Sequence, residues 1–101
     1  MEEKIVYTKH LKLRLEIREI EYTVPQQIYE RSKEKYFDTI TEYCIAVGRI
    51  YYKEKLREMA VVYEKIADEI RIVTVYPLRS YEKLSKIKTG RWQKNEKKIN
   101  N

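Results

Sequence analysis

The chain has 101 residues, with 22 Lys and Arg against 16 Asp and Glu and a formal net charge of +6. This length predicts one domain with a modest core, and the single cysteine, Cys44, excludes both an internal disulfide and a cysteine-based zinc site within one chain. No apolar run is long enough to predict a membrane span, and the start "MEEKIVY" lacks a signal-peptide layout, so we expect a cytoplasmic protein. Abundant Lys and Glu with little Asn, Gln and Met resemble a thermophile's composition.

The N-terminal third predicts one strand and two helices. Residues 4–8, "KIVYT", form a strand candidate. In residues 10–20, "HLKLRLEIREI", apolar and polar residues alternate as they do in a half-buried strand, although most of these residues favour a helix. Because a sheet with an apolar face needs a covering layer, and only residues 9–32 can supply it, we predict a helix here. A second helix is predicted over 22–32, with Thr23 as its cap and Pro25 in its first turn.

The rest of the chain predicts strands with short connections. Strand candidates at 35–39, 43–52, 58–66 and 69–77 are rich in β-branched and aromatic residues, and a short helix follows at 81–88. The predicted fold is α+β: an N-terminal strand, two helices, then an antiparallel meander with the helices packed on one face. The domain covers 1–92, and 93–101 is expected to be a basic, disordered tail. The predicted core includes Leu13, Ile17, Ile28, Val61, Val73 and Val75.

The net positive charge is confined to the C-terminal segment. Residues 79–101 hold eight Lys and Arg and two Glu, which gives 8 − 2 = +6, so residues 1–78 are neutral overall. A basic segment on a neutral body indicates a polyanion partner, RNA or DNA first, although a merely solvated segment has the same composition. The predicted nucleic-acid contacts are Arg79, Lys83, Lys86, Lys88, Trp92 and Lys94.

Three residues form one stripe on the predicted first helix: His10, the only histidine, with Arg14 and Arg18 at spacings of four. The pattern H-x3-R-x3-R-x-I, together with "VTVYP" at the end of the last long strand and "GRW" at 90–92, resembles a small family of uncharacterised prokaryotic proteins. The resemblance covers residues 5–92. One departure is Glu19, where that family often has Gly, so we expect a less sharp end to the helix.

This family resembles a branch of the RelE/ParE toxin superfamily. The resemblance implies a β-α-α-β-β-β fold with the helices on one side of an antiparallel sheet. It also implies a metal-independent ribonuclease that a small antitoxin protein inhibits, with RNA, free or on the ribosome, as the substrate. ParE-type members poison gyrase instead. A ParE-type toxin that acts by protein binding and a non-catalytic nucleic-acid-binding module therefore stay open as alternatives, as does the oligomeric state.

Metal-free RNA cleavage needs a base for the 2′-OH, cations for the phosphorane and an acid for the leaving oxygen. The predicted catalytic residues are His10, Arg14, Arg18, Tyr76 and Arg91. His10 suits acid or base chemistry near neutral pH, the arginines suit phosphate, and Tyr76 suits stacking or proton donation. Each has a structural alternative: a helix cap for His10, surface ion pairs for Arg14 and Arg18, a core position for Tyr76, and a solvated position for Arg91 beside Trp92 as a hydrophobic anchor of the tail. No metal or cofactor is expected, because HExxH, GxGxxG and P-loop motifs are missing.

Overall fold

The computed structural model describes residues 3–95 and contains six strands and three helices in that range. The elements in chain order are β1 (Lys4–Tyr7), α1 (Lys9–Arg18), α2 (Val24–Arg31), β2 (Glu34–Asp38), β3 (Cys44–Tyr52), β4 (Lys55–Ile66), β5 (Glu69–Pro77), α3 (Glu82–Lys88) and β6 (Trp92–Lys94). None of these helices is long and apolar enough to cross a membrane.

The six strands form one mixed sheet in the order β1-β5-β4-β3-β2-β6. Strand β1 runs parallel to β5, while β6 pairs antiparallel with β2 at the other edge. Strands hold 45% of the described residues and helices 27%. The predicted fold, two helices on one face of an antiparallel meander, is therefore wrong. The parallel pairing joins strands that are far apart in the sequence, with Lys4 opposite Glu69, so no local pattern in the sequence indicates it.

The end of the chain contributes a strand that was not predicted. The predicted domain boundary at residue 92 falls inside β6, which continues to Lys94. Trp92 is 2% exposed and stacks on Tyr36, with ring centroids 5.5 Å apart. Residues 96–101 of the predicted tail lie outside the described residues.

The helix predicted over residues 10–20 is confirmed as α1. Thr8 caps it, since its hydroxyl accepts a hydrogen bond from the backbone N–H of Leu11 at 3.1 Å. Leu11 and Leu15 are buried, whereas Leu13 and Ile17 are 55% and 60% exposed. The core prediction is thus wrong for Leu13 and Ile17, because a residue two positions along a helix points to the opposite side.

The residue that departs from the family pattern ends α1. Glu19 has φ 57° and ψ 48°, and its N–H donates to the carbonyl of Glu16. This left-handed conformation is the one that a glycine adopts most easily at the end of a helix. The helix therefore stops at this position even though the residue is a glutamate.

The sheet has an apolar core on each face. The first core lies between the sheet and helices α1 and α2. Its thirteen buried residues include Leu11 and Ile28 from the helices and Val61 and Val75 from the sheet. The opposite face buries Tyr36, Ile45, Val47, Ala60, Val62, Leu78 and Trp92. A bulge in β5 opposite Val62 and Tyr63 shifts the register there, and Val73 consequently packs against the second core rather than the first. The prediction that Val73 and Val75 share one core is wrong for this reason.

Helix α3 is held on the second face by charged contacts. Lys83 Nζ lies 2.7 Å from a carboxylate oxygen of Glu34 and 2.8 Å from one of Glu58. The ammonium group of Lys86 lies over the ring of Trp92 at 5.2 Å. No residue of α3 is fully buried, and Leu84 is 56% exposed. The charged side of this short helix therefore faces the sheet, and its apolar side faces solvent.

Candidate functional site

A cleft of about 490 Å³ lies where β5 ends, and arginine and tyrosine side chains dominate its wall. We call it the arginine–tyrosine cleft. Its lining residues are Arg18, Tyr52, Arg57, Tyr76, Pro77, Arg79, Tyr81 and Glu82. These come from α1, β3, β4, β5 and the start of α3, so the cleft exists only in the folded sheet. Arg18, Tyr76 and Arg79, which the sequence predicts as functional, meet here.

Arg18 is positioned by an open stretch of strand edge. The pairing of β1 with β5 ends at Ile72, and the guanidinium of Arg18 donates to the free carbonyl of Val75 beyond it. Since a guanidinium has five N–H donors, this bond leaves others for an anion in the cleft. The hydrogen bond therefore fixes the side chain without exhausting its binding capacity.

Two further arginines line the same cleft. Arg57 is half-buried, and its guanidinium donates a long hydrogen bond of 3.5 Å to the carbonyl of Leu78. Arg79 is exposed, and its backbone N–H donates to a carboxylate oxygen of Glu82 at 3.2 Å. Planar guanidinium groups match the oxygens of a phosphate in a two-pronged manner. The cleft therefore offers several cationic donors to one anionic group.

Tyr76 is half-buried between groups of both charges. Burial, the largest cause, raises its pKa together with the carboxylates of Glu82 and Asp38, while Arg91 and Arg18 oppose the shift, and the resulting pKa is about 12. A phenol with this pKa is protonated at neutral pH. Tyr76 can donate a hydrogen bond or a proton to a bound oxyanion, and it cannot act as the base.

Arg91, a predicted catalytic residue, is paired with a buried carboxylate. Its Nε lies 3.0 and 3.2 Å from the two carboxylate oxygens of Asp38, and its terminal nitrogen lies 3.0 Å from one of them. Asp38 is 3% exposed and also accepts from the N–H groups of Ile40 and Thr41. Burial alone would raise the pKa of Asp38, but the hydrogen bonds from Arg91 and these two amides hold it well below its usual range. Arg91 thus ties the start of β6 to the end of β2.

His10 and Arg14 lie outside the lining of the cleft. Arg14 Nε donates to His10 Nε2 at 3.3 Å on the exposed surface of α1. Eight residues of helix separate His10 from Arg18, a rise of about 12 Å. The predicted stripe of three residues is present on α1, but only Arg18 among them lines the cleft.

The remaining predicted nucleic-acid contacts are divided between ion pairs and open surface. Lys83 and Lys86 are paired with carboxylates, the latter with Glu82 at 3.4 Å. Lys88 and Lys94 are exposed and do not line the cleft. Trp92 is buried against Tyr36, so its ring is not available to stack on a base. The ion pairs of Lys83 with Glu34 and Glu58 thus offset part of the positive charge of this segment.

Four cleft residues were missed by the sequence analysis: Tyr52, Arg57, Tyr81 and Glu82. Tyr52 and Arg57 approach each other because β3 and β4 form a hairpin, with Tyr52 opposite Lys55 and Ile50 opposite Arg57. Tyr81 and Glu82 belong to "YPLRSYE", where arginine, tyrosine and glutamate follow the last long strand. That interleaving of charge and aromatic residues is the one signal that points to them.

Within residues 3–95, no three His, Cys, Asp or Glu side chains lie close enough together to hold a metal ion. A larger cleft, of about 560 Å³, lies between α2 and β3, and it includes none of the predicted functional residues. Comparisons of the chain with protein-family models, with characterised proteins and with solved structures find no match.

Proposed function

We propose that the protein binds single-stranded RNA in the arginine–tyrosine cleft, in the cytosol. The observation that carries the proposal is the convergence of three arginine and three tyrosine side chains on one cleft. Cationic groups follow a nucleic-acid backbone, and aromatic rings stack on bases that are not already stacked in a duplex. This combination favours a single strand over a double helix.

The residues have distinct roles in this proposal. Arg57 and Arg79 hold a phosphate, supported by the free donors of Arg18. Tyr81, which is 64% exposed, supplies the ring on which a base stacks. The hydroxyl of Tyr76 donates a hydrogen bond to the same phosphate, since its pKa of about 12 keeps the phenol protonated.

Fluorescence anisotropy with a labelled single-stranded RNA tests the proposal. Arg79→Gln should weaken binding and lower the salt dependence by about one counterion. Tyr81→Ala should cost about 1–3 kcal/mol of binding free energy through lost stacking. The matched control is Lys12→Gln, which removes one charge from the exposed surface of α1. An equal loss in the control would mean that binding depends only on net charge, contrary to the proposal.

A second candidate function is metal-independent cleavage of the bound RNA, of the RelE type. The observation that favours it is that the carboxylate of Glu82 lines the cleft beside the Tyr76 hydroxyl and the guanidinium groups. In this proposal Glu82 accepts the proton of the 2′-OH, whose oxygen attacks the adjacent phosphorus. Arg57 and Arg79 stabilise the phosphorane, and the leaving 5′ oxygen takes a proton from Tyr76. The products are a 2′,3′-cyclic phosphate and a 5′-hydroxyl.

Cleavage assays in the presence of a chelator separate this candidate from binding alone. Glu82→Gln should lower the cleavage rate by about 10²–10⁴-fold while RNA binding persists. His10→Ala should cleave normally, because His10 does not line the cleft. If His10→Ala and Arg14→Lys lower the cleavage rate and Glu82→Gln does not, the acid–base role belongs to His10 in the stripe on α1. RNA binding without cleavage would favour the non-catalytic binding module. Absence of both RNA binding and cleavage would favour the ParE-type alternative.

A further inference from the structure

Strand β3 extends beyond its neighbour and leaves an open edge. Strand β2 pairs with β3 only as far as Val47, and among the described residues no strand lies beside Gly48–Tyr52 on that side. The hydroxyl of Ser32 donates to the carbonyl of Val47 at 2.7 Å, which shows that this carbonyl points toward the β2 side. Because alternate residues of a strand point the same way, Arg49 and Tyr51 present their N–H and C=O groups to the open edge.

The cleft of about 560 Å³ lies along this edge, and we call it the β3-edge cleft. Its lining residues are Gln27, Ile28, Arg31, Ser32, Lys33, Glu34, Val47, Gly48, Arg49 and Ile50. Gly48 lets α2 approach closely, since a Cβ there would lie 3.0 Å from a methyl carbon of Ile28. Aliphatic side chains and an open strand edge thus lie side by side.

The charge of the β3-edge cleft is positive. Arg31, Lys33 and Arg49 are exposed, and no carboxylate of the described residues lies within 4.0 Å of their cationic groups. The one acidic lining residue, Glu34, already accepts from Lys83 and from the hydroxyl of Tyr36. An anionic partner would therefore meet three unopposed cations.

We infer that this edge binds an acidic, extended segment of a partner protein, which adds to the sheet as a strand beside β3. The unpaired N–H and C=O groups would bind its backbone, the half-buried Ile50 its apolar side chains, and the three cations its carboxylates. RNA is the poorer occupant, because no aromatic side chain lines this cleft. A second copy of the chain is also poorer, since antiparallel pairing of two β3 edges would bring like charges together. The inference is independent of the proposed RNA site, with which the cleft shares no residue.

The test uses a labelled, end-capped octapeptide of alternating Glu and Val, with a Lys and Val peptide for comparison. The acidic peptide should bind and the basic one should not. Arg49→Glu should weaken binding by at least about tenfold, because it replaces attraction with repulsion. The matched control Lys12→Glu, on α1, should leave binding unchanged. Absence of binding at millimolar peptide, or equal losses in both variants, would overturn the inference.

Methylation of peptide nitrogens distinguishes strand addition from simple charge attraction. Two versions of the acidic peptide are methylated on alternate amides, so that in each only one edge of the added strand is blocked. Strand addition requires that one version loses binding and the other keeps it. Equal effects would refute the inferred geometry. Displacement of the peptide by single-stranded RNA, with loss of RNA binding in Arg49→Glu, would assign the edge to RNA, and an Arg49-dependent dimer in sedimentation would assign it to a second copy.

Discussion

The substitution Asp38→Asn tests how the end of the chain is attached to the sheet. Asp38 is 3% exposed and joins three partners: the guanidinium of Arg91 and the N–H groups of Ile40 and Thr41. An amide oxygen can still accept from the two backbone groups, so the β2–β3 turn keeps its hydrogen bonds. The guanidinium loses its counter-charge, and the amide nitrogen places a second donor against it.

The magnitude of the effect follows from this geometry. Removal of one partner from a buried ion pair costs about 3–5 kcal/mol. The side chain of Arg91 is 32% exposed, so solvent compensates part of the loss. We expect the free energy of unfolding to fall by about 2–3 kcal/mol at neutral pH. For a domain of this size, the melting temperature should fall by about 10–20 °C.

The pH dependence of this loss has a defined sign. The pKa of Asp38 is lowered in the folded protein, so its contribution to stability is present above the unfolded pKa of about 3.9 and is lost as the pH falls through the folded value. The difference between wild type and Asp38→Asn should therefore be complete at pH 7 and should shrink below about pH 4.

Urea unfolding at several pH values measures both quantities. The control is Asp68→Asn, the same chemical change in the exposed β4–β5 turn, which should cost less than about 0.5 kcal/mol. A loss in Asp38→Asn as small as in the control, or a loss that does not change with pH, would refute the assignment of this pair as the anchor of β6.

Three other stability measurements address the helices. Leu15→Ala should lower the free energy of unfolding by about 2–5 kcal/mol, and Leu13→Ala by less than about 1 kcal/mol, because only Leu15 is buried. Similar losses for the two variants in urea unfolding would contradict the side of α1 that faces the core. Lys83→Met should cost about 1–2 kcal/mol, since it leaves two carboxylates facing each other without a cation; a neutral result would mean that α3 is held by other contacts. Glu19→Gly should raise stability by up to about 1 kcal/mol by relieving the left-handed backbone, and a lower melting temperature would count against that strain.

Local signals in the sequence were sufficient to place every described element except β6. The strand predicted at 4–8, the helix predicted at 22–32 and the strand predicted at 69–77 each lie within a few residues of the observed positions. Their assembly was not predictable in the same way. The partner of β1 is distant in the sequence, since Lys4 pairs with Glu69. Strand β6 has only three residues, and α3 is held on its face of the sheet by the ion pairs of Lys83.

The candidate site was predictable only where its residues lie close together in the sequence. Tyr76 and Arg79 follow one another closely at the end of β5, so their proximity is a local property. Arg18 joins them through its hydrogen bond to a strand edge, whereas His10 is two turns of helix away. Arg57 reaches the cleft only through the register of the β3–β4 hairpin, which the sequence pattern does not specify.

The parallel pairing of β1 with β5 determines when β1 can join the sheet during synthesis. Lys4 lies opposite Glu69, 65 residues later, whereas β3 and β4 are joined by the turn at Lys53 and Glu54. Closing a long loop costs more entropy than closing a hairpin, so the β3–β4–β5 hairpins can form before β1 joins them. Strand β1 leaves the ribosome first, yet the strand beside it is not available until residue 77 has emerged. Throughout that interval β1 has no strand of this sheet to pair with, and it can join the sheet only after β5 has been made.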